Sequence, residues 1–489
     1  MKPLFTVELP DGTLAFASEL KGLLALPELE RRIDPLAVED YLAWGYVPDH
    51  RSILDGVGKL PAGHFRQLGH DGMASPAWRW WDVSFADRAS GSAESLSEEL
   101  LDHLRSGVRS RMVSDVPLGA FLSGGVDSSA TVALMSEASD APVATCSIGF
   151  DVAALDETAY AERIAQRYGT NHRARMVGDG DYAHLDTIAA MFDEPFADAS
   201  ALPTWRVCQL ARENVTVALS GDGADEALAG YRRQGFHHRE EQARAAIPAA
   251  LRKGLLGPLG RLYPKADWAP RPLRAKSTLL SLAGDGPEGY ARGLSVTSPE
   301  TRAALYSADF TRRISSYRAE ERLVEIMRGA PARSGLDQAQ YADLTFFLPG
   351  DILTKVDRTS MAVSLEAREP LLDHRLIQFA ARLPEDLRVK GGQGKWLLKK
   401  TMEPFLPQDV LYRPKQGFVT PISDWFRTSL AEEARALGQG GVLAETGWFD
   451  PARIARVARD HIAGRAEHGR LLFQLTMLER SLAILRPTG

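Results

Sequence analysis

The residues most able to do chemistry are Ser123-Gly124-Gly125-Val126-Asp127-Ser128-Ser129, a run of two glycines, three hydroxyls and one carboxylate between an apolar stretch and a helix-forming one. Glycines let successive backbone N–H groups turn toward one point, a following helix adds its N-terminal dipole, and the serines donate further hydrogen bonds. That combination is an oxyanion cradle. An acid inside an anion site makes sense where a Mg²⁺ bridges it to phosphate oxygens, which is the reading for Asp127. The run has no Lys of the GxxxxGK type and lacks GxGxxG spacing, so kinase-type P-loop and nicotinamide-dependent chemistry both lose support.

A second cluster, Ser220-Gly221-Asp222-Gly223-Ala224-Asp225-Glu226, directly follows the apolar run Val215 to Leu219. Three carboxylates beside a phosphate cradle would repel a nucleotide unless a cation intervened, so a metal is implied again. Alone, this run could equally be an acidic surface turn.

These loops need strands to carry them. Pro117 to Leu122, Val143 to Phe150, Ala174 to Val177 and Val215 to Leu219 read as strands, and Ala130 to Ala138, Glu157 to Tyr168 and Thr204 to Glu213 as helices between them. Such alternation predicts an α/β fold with a doubly wound parallel sheet. Its ligands bind beyond the carboxyl ends of the strands, where both clusters fall. Upstream, Ser95-x-x-Glu98 reads as a capping box opening a helix whose Leu96, Leu100, Leu104, Val108 and Met112 form one buried face. Leu4 to Leu9 and Leu14 to Ala17, joined by Pro10-Asp11-Gly12, read as a β-hairpin, and Arg79 to Ser92 as a linker. We therefore divide the chain into residues 1–92 and 93–489, with a helical excursion over 232–340. Within it, Arg232 to Ser277 carries eleven Lys/Arg against three Asp/Glu. A solvated, proline-punctuated surface accounts for that charge more simply than an anionic partner or a lipid surface. The final stretch, His468 to Leu485, has a strong apolar face.

The composition sets outer limits. With 489 residues, two domains are the prior; 44% hydrophobic and 25% charged residues are ordinary globular values. A formal charge of −6 gives no general field for nucleic acid. Only Cys146 and Cys208 are present, so there is no disulfide framework, and a reducing cytoplasm fits. We expect no membrane span and no export signal.

The loop Ser123 to Ser129 resembles the pyrophosphate-binding loop of the ATP pyrophosphatases, a fold of the adenine nucleotide α-hydrolase type. Further stretches are similar to the asparagine synthetase B family: Phe16 to Leu23, Gly45 to Pro48, Lys59 to His64, Asp193-Glu-Pro195, Ser220 to Glu226, Leu353 to Met361 and Glu366 to Pro370. They span nearly the whole chain. The resemblance implies an ATP-dependent amide ligase acting on small molecules. A carboxylate, expected to be aspartate, attacks the α-phosphorus, pyrophosphate leaves, and ammonia displaces AMP. ATP and Mg²⁺ are the implied cofactors, and a homodimer is compatible.

Position by position, the resemblance gives Ser123, Gly124, Gly125, Asp127, Ser128 and Ser129 to pyrophosphate, Leu122 and Ile148 to the adenine site, and Ser220 and Gly221 to the nucleotide. Asp127 and Asp225 match metal ligands. Asp222 stands where asparagine synthetases usually carry Glu, the residue tied to forming the aspartyl-adenylate, which leaves room for a different carboxylate from a sugar or secondary metabolite. Glu366 matches a Glu that orients a catalytic base in β-lactam synthetases, or else pairs with Arg368 in a buried network. Lys395 and Lys415 are the cations expected to reach phosphate.

The family's glutaminase begins with a nucleophilic Cys directly after Met. Here Lys2 follows Met1, and neither cysteine is near the start. Residues 1 to about 75 resemble the last third of that α+β N-terminal-nucleophile domain, so we expect glutamine-dependent activity to be absent from the chain as written. A start inside a longer protein is favoured over use of free ammonia or another amine, because a bare half-sheet leaves strand edges unpaired. A catalytically silent binding protein of the same fold is the reading from another class, and the intact aspartates of both loops speak against it.

Overall fold

The strand–helix alternation becomes a five-stranded, wholly parallel sheet. The computed structural model describes residues 2–70, 74–151, 156–263, 275–413 and 420–486. Near the start, β1 (Phe5–Glu8) and β2 (Leu14–Ala17) form the expected hairpin. Helix α1 (Pro35–Trp44) follows, and β3 (Val57–Lys59) pairs antiparallel with β1 to complete a three-stranded sheet.

Helix α2 (Ala93–Arg111) begins earlier than expected. Its cap is Ser92, whose side chain accepts the Ser95 N–H, while the Ser95 hydroxyl donates back to the Ser92 carbonyl. The expected apolar face is buried at Leu96, Leu100, Leu104 and Val108, with Met112 partly buried. The alternating unit then runs through β4 (Leu118–Phe121), α3 (Val126–Ala138), β5 (Ala144–Phe150), α4 (Thr158–Tyr168), β6 (Asn171–Val177), α5 (Ala201–Arg212) and β7 (Val217–Leu219). Helix α3 starts inside the glycine loop rather than at Ala130.

A fifth strand, β8 (Glu366–Arg368), was not foreseen; it pairs with β7, giving the order β8-β7-β4-β5-β6. Both sheet faces are covered. Val217 and Leu219 face a cluster containing α2, α3 and α4, whereas Ala218 faces Val207, Cys208 and Leu210 of α5. The chain order reverses between β4 and β7, so their carboxyl ends adjoin at a topological switch point.

The core does not divide at residue 92. One apolar cluster joins Phe5, Val38, Tyr41 and Leu42 to residues of the excursion and to α9, the final helix (Gly469–Leu485). Gln474 of α9 donates to the Tyr41 and Leu42 carbonyls, and the Tyr41 hydroxyl donates to the Gln474 carbonyl. The excursion is helical, beginning with α6 (Arg232–Ala246) and ending ahead of α7 (Thr354–Met361) and α8 (Trp396–Thr401). Two of its cations turn inward, Arg233 onto Asp343 and Arg244 onto Glu240 and Glu241, so these two charges are not solvated as the sequence reading expected. Among the described residues no helix is long and apolar enough to cross a membrane.

Candidate functional site

The two glycine loops meet backbone to backbone. A Cβ on Gly221 would lie 2.7 Å from the Ser128 nitrogen and 2.9 Å from the Asp127 carbonyl carbon, so only glycine lets the loops touch. In the first loop, Gly124 has φ +72°, and a Cβ there would strike the start of α4 at Tyr160 and Ala161. Ser123 and Ser128 share a hydroxyl–hydroxyl bond of 3.0 Å. Gly125 caps α3 with no side-chain acceptor, so the helix's first N–H groups have no side-chain cap. Ser129 Oγ is buried without a hydrogen-bond partner among the described residues. Leu122 and Ile148 lie at the carboxyl ends of neighbouring strands, but both side chains sit within the apolar clusters flanking the sheet.

In the second loop, the Ser220 N–H donates to the Arg368 carbonyl at 2.8 Å, fixing the loop to β8. The Ser220 hydroxyl donates to Asp222 at 2.5 Å. Asp225 and Asp127 then converge on one nitrogen: Lys395 Nζ lies 2.5 Å from Asp127 Oδ2 and 2.7 Å from Asp225 Oδ1. Lys395 is held there by a left-handed backbone, φ +55°, and by its N–H on the Leu228 carbonyl. Gly230 makes room for it, since a Cβ there would overlap both Asp225 Oδ1 and Lys395 Cε. Burial would lower the lysine's pKa, but Asp127 and then Asp225 more than offset that and hold it above the ordinary lysine value. The group is a fixed cation at neutral pH.

Two carboxylates from separate strand ends, already gathered around one positive charge, fit a Mg²⁺. Among the described residues no set of three or more His, Cys, Asp or Glu side chains forms a metal cage. Mg²⁺ is commonly held by one or two carboxylates plus substrate phosphates, and Asp127 and Asp225 are two such carboxylates. Glu226 is not part of the pair. It is 1% exposed, accepts the Tyr231 hydroxyl at 2.6 Å, and is pushed to about 7 by burial and then by Asp225.

Of the two readings of Glu366, the pairing with Arg368 is present in the structure, though not buried: Glu366 sits at the amino end of β8, opposite Val217, with its side chain half exposed and 2.7 Å from Arg368. The acid of that run beside the loops is Glu369, one residue past the carboxyl end of β8. A three-residue strand was too short to reveal which acid comes to the edge. Lys415 lies outside the described residues. Arg413, the last described residue ahead of it, donates to the Gly124 carbonyl at 3.1 Å and pairs with Glu157, so it is a cation at the cradle that motif reading passed over.

The remaining family-like stretches collect elsewhere, at a seam between the N-terminal segment and the sheet domain. Asp193 accepts the Leu20 N–H and pairs with Arg358 at 3.2 Å. Glu194 pairs with Lys59 at 2.5 Å and accepts the Ile53 N–H at 2.6 Å. Lys59 also donates to the Val47 carbonyl, and the Gly45 carbonyl accepts the Ala197 N–H.

Comparison with known proteins finds the Asparagine synthase family over residues 99–483 and a Glutamine amidotransferase domain over residues 1–81. A Mycobacterium tuberculosis protein, provisionally named a glutamine-hydrolyzing asparagine synthetase, is 33% identical over 497 residues, covering 97% of this chain and 72% of its own. Asparagine synthetase (glutamine-hydrolyzing) 1 of Bacillus subtilis is 29% identical over 482 residues with the same coverage. Asparagine synthetase (glutamine-hydrolyzing) 3 of that organism is 25% identical over 475 residues, covering 89% of this chain and 67% of its own.

Proposed function

The chain belongs to the asparagine synthase family, and from that premise we propose that it is an ATP-dependent amide-forming ligase that adenylates a carboxylate, in the first instance aspartate. A carboxylate oxygen of the acceptor attacks the α-phosphorus of ATP and the bond to pyrophosphate breaks. Ammonia nitrogen then attacks the acyl carbon, the bond to AMP breaks, and a nitrogen-bound proton is lost. The observation that carries this reading is the meeting of the loops at Gly221, with Asp127 and Asp225 on one shared cation position.

The chain's own groups divide the work. The uncapped start of α3, the hydroxyls of Ser123, Ser128 and Ser129 and the Arg413 guanidinium are suited to hold the departing diphosphate, as preorganised donors facing developing charge. Lys395, held between Asp127 and Asp225, would add a point charge toward the same phosphates. Asp127 and Asp225 would hold Mg²⁺, which when bound supplies neutralisation of the phosphate charge. Asp222, which accepts the Ser220 hydroxyl, is the acid of this loop that the family likeness assigns to forming the acyl-adenylate.

The test is incubation with ATP, Mg²⁺, aspartate and ammonium. Asparagine with AMP and pyrophosphate is the expected product set. ADP with inorganic phosphate would overturn the reading.

A further inference from the structure

Residues 247–263 hold three cations, Arg252, Lys253 and Arg261, and no acid. The stretch is helical through Ala249–Leu251, Arg252–Leu256 and Gly257–Leu262, a run of about 21 Å. Its leucines are on the wrong side for a helix that covers a core. Leu251, Leu255, Leu259 and Leu262 recur at intervals of four, four and three residues, which sets them on one face. All four are exposed, from 47% at Leu259 to 83% at Leu262. The face that packs is made of glycine instead. Gly257 and Gly260 are buried against the helix Ala275–Ala283, where a Cβ on Gly257 would lie 3.6 Å from the Ala283 Cβ and one on Gly260 3.1 Å from the Leu279 Cβ. Arg252 fastens the run there, donating to the Ile247 carbonyl at 3.1 Å and to the Leu282 carbonyl at 3.3 Å. Small residues inside and leucines outside reverse the usual order of a surface helix, and an apolar stripe left open in this way marks an interaction surface.

Charge decides what kind of surface would cover the leucines. Of the 58 Lys/Arg and 64 Asp/Glu in the chain, residues 232–277 take eleven and three, so this stretch carries +8 and everything else −14. Arg233 and Arg244 are met by Asp343, Glu240 and Glu241, and with those groups set aside the stretch still has nine cations against one acid. That excess alone needs no partner. Beside an open leucine face it does. A second copy of the chain would bring like charge against like. A bilayer with anionic headgroups answers both features together, with an apolar layer for the leucines and phosphates for the cations. The uneven charge also turns this end of the molecule toward such a surface and the rest away from it.

We propose that the leucine face of residues 249–262 is a docking surface for an anionic lipid bilayer, on which this helical run lies in the plane of the headgroups with Leu251, Leu255, Leu259 and Leu262 turned into the acyl boundary. The chain is then held on the membrane surface rather than across it. The proposal does not depend on the adenylating reading; it adds the place where the chain works.

The experiment is co-sedimentation of the full chain with vesicles of phosphatidylcholine alone and of phosphatidylcholine and phosphatidylglycerol in equal parts. The intact chain should partition at least about tenfold more strongly onto the anionic vesicles, and the excess should shrink as salt is raised. Changing Leu255→Glu and Leu259→Glu together should lower partition onto the anionic vesicles by about tenfold or more. ATP–pyrophosphate exchange in solution should stay the same in that variant, since neither leucine belongs to the glycine loops. Leu262→Glu, at the most exposed of the four positions, repeats the test with one change should the double variant fold poorly. No partition of the intact chain, equal partition onto both kinds of vesicle, or binding undiminished in both variants would overturn the proposal. Self-association that the leucine changes abolish, in place of vesicle binding, would give the face to a second copy and overturn it as well.

Discussion

At the seam, Arg358 lies between Asp193 and Asp357, Lys59 holds Glu194 and the Val47 carbonyl, and Arg302 is clamped by Glu39 of α1 and by Glu320. Each charge there meets an opposite one within the fold. In the cleft, one ammonium serves both Asp127 and Asp225, Glu369 has no hydrogen-bond partner among the described residues, and the start of α3 has no side-chain cap. The contrast separates two uses of buried charge. A completed set fixes one segment against another; a buried acid and a helix start without side-chain partners among the described residues leave room for a ligand. Substitutions at the seam should therefore act on folding, and substitutions in the cleft on turnover.

The hardest break is at Arg302, which is 1% exposed. Arg302→Met would leave Glu39 and Glu320 facing each other without their cation, a loss of about 3–5 kcal/mol in unfolding free energy. Urea unfolding would read it. Exchange activity per folded molecule should stay the same, and a selective loss of turnover in a fully stable variant would erase the distinction between the two regions.

In the cleft, Asp127→Asn should lower ATP–pyrophosphate exchange by at least about a hundredfold, since it removes a phosphate-side electrostatic element. Its thermal midpoint should move by only a few degrees. Lys395 keeps Asp225 as a partner in that variant. Gly221→Ala should cost about tenfold or more in exchange, because the added methyl meets the rigid backbone of Ser128 and forces the loops apart. Normal exchange in this alanine variant would mean that the loops need not touch for catalysis.

The cleft was the more legible of the two regions, for a physical reason. Phosphate binding needs glycines and hydroxyls contiguous in the chain, so Ser123 to Ser129 and Ser220 to Glu226 announce themselves. The alternation of strands and helices placed them on one sheet edge without knowledge of β8. What could not be read was anything set by pairing across long separations. Glu366 to Arg368 is a strand only because Val217 to Leu219 offers it a partner. Glu369, one residue past that strand, therefore comes to the carboxyl edge of the sheet, while Glu366 stays at the amino end, paired with Arg368. Lys395 was singled out as a phosphate cation, but its bridge between two aspartates depends on Gly230 and on a left-handed backbone that no local pattern signals. The seam was least legible: its stretches were recognisable by likeness, yet their joining of residues 1–92 to the rest into one core depends on single pairs such as Glu194 with Lys59.

The finest test of the contrast is a slope rather than a loss. Burial first and the charge of Asp222 next raise the folded Glu369 carboxyl to about 8, against the opposing charges of the chain's amino terminus and Lys2, whereas in the unfolded chain it returns to the usual range of about 4.3. The folded form thus holds the proton more tightly. Its contribution to stability is fully present below about pH 4 and is lost as the pH rises through 8, so the ligand-free chain should weaken across that interval. One such group contributes at most about 1.4 kcal/mol per pH unit. In Glu369→Gln the decline of unfolding free energy between pH 5 and pH 8 should be shallower by up to that amount. Identical slopes in wild type and variant would place Glu369 among the completed charges of the seam, and the reserved acid would be no acid at all.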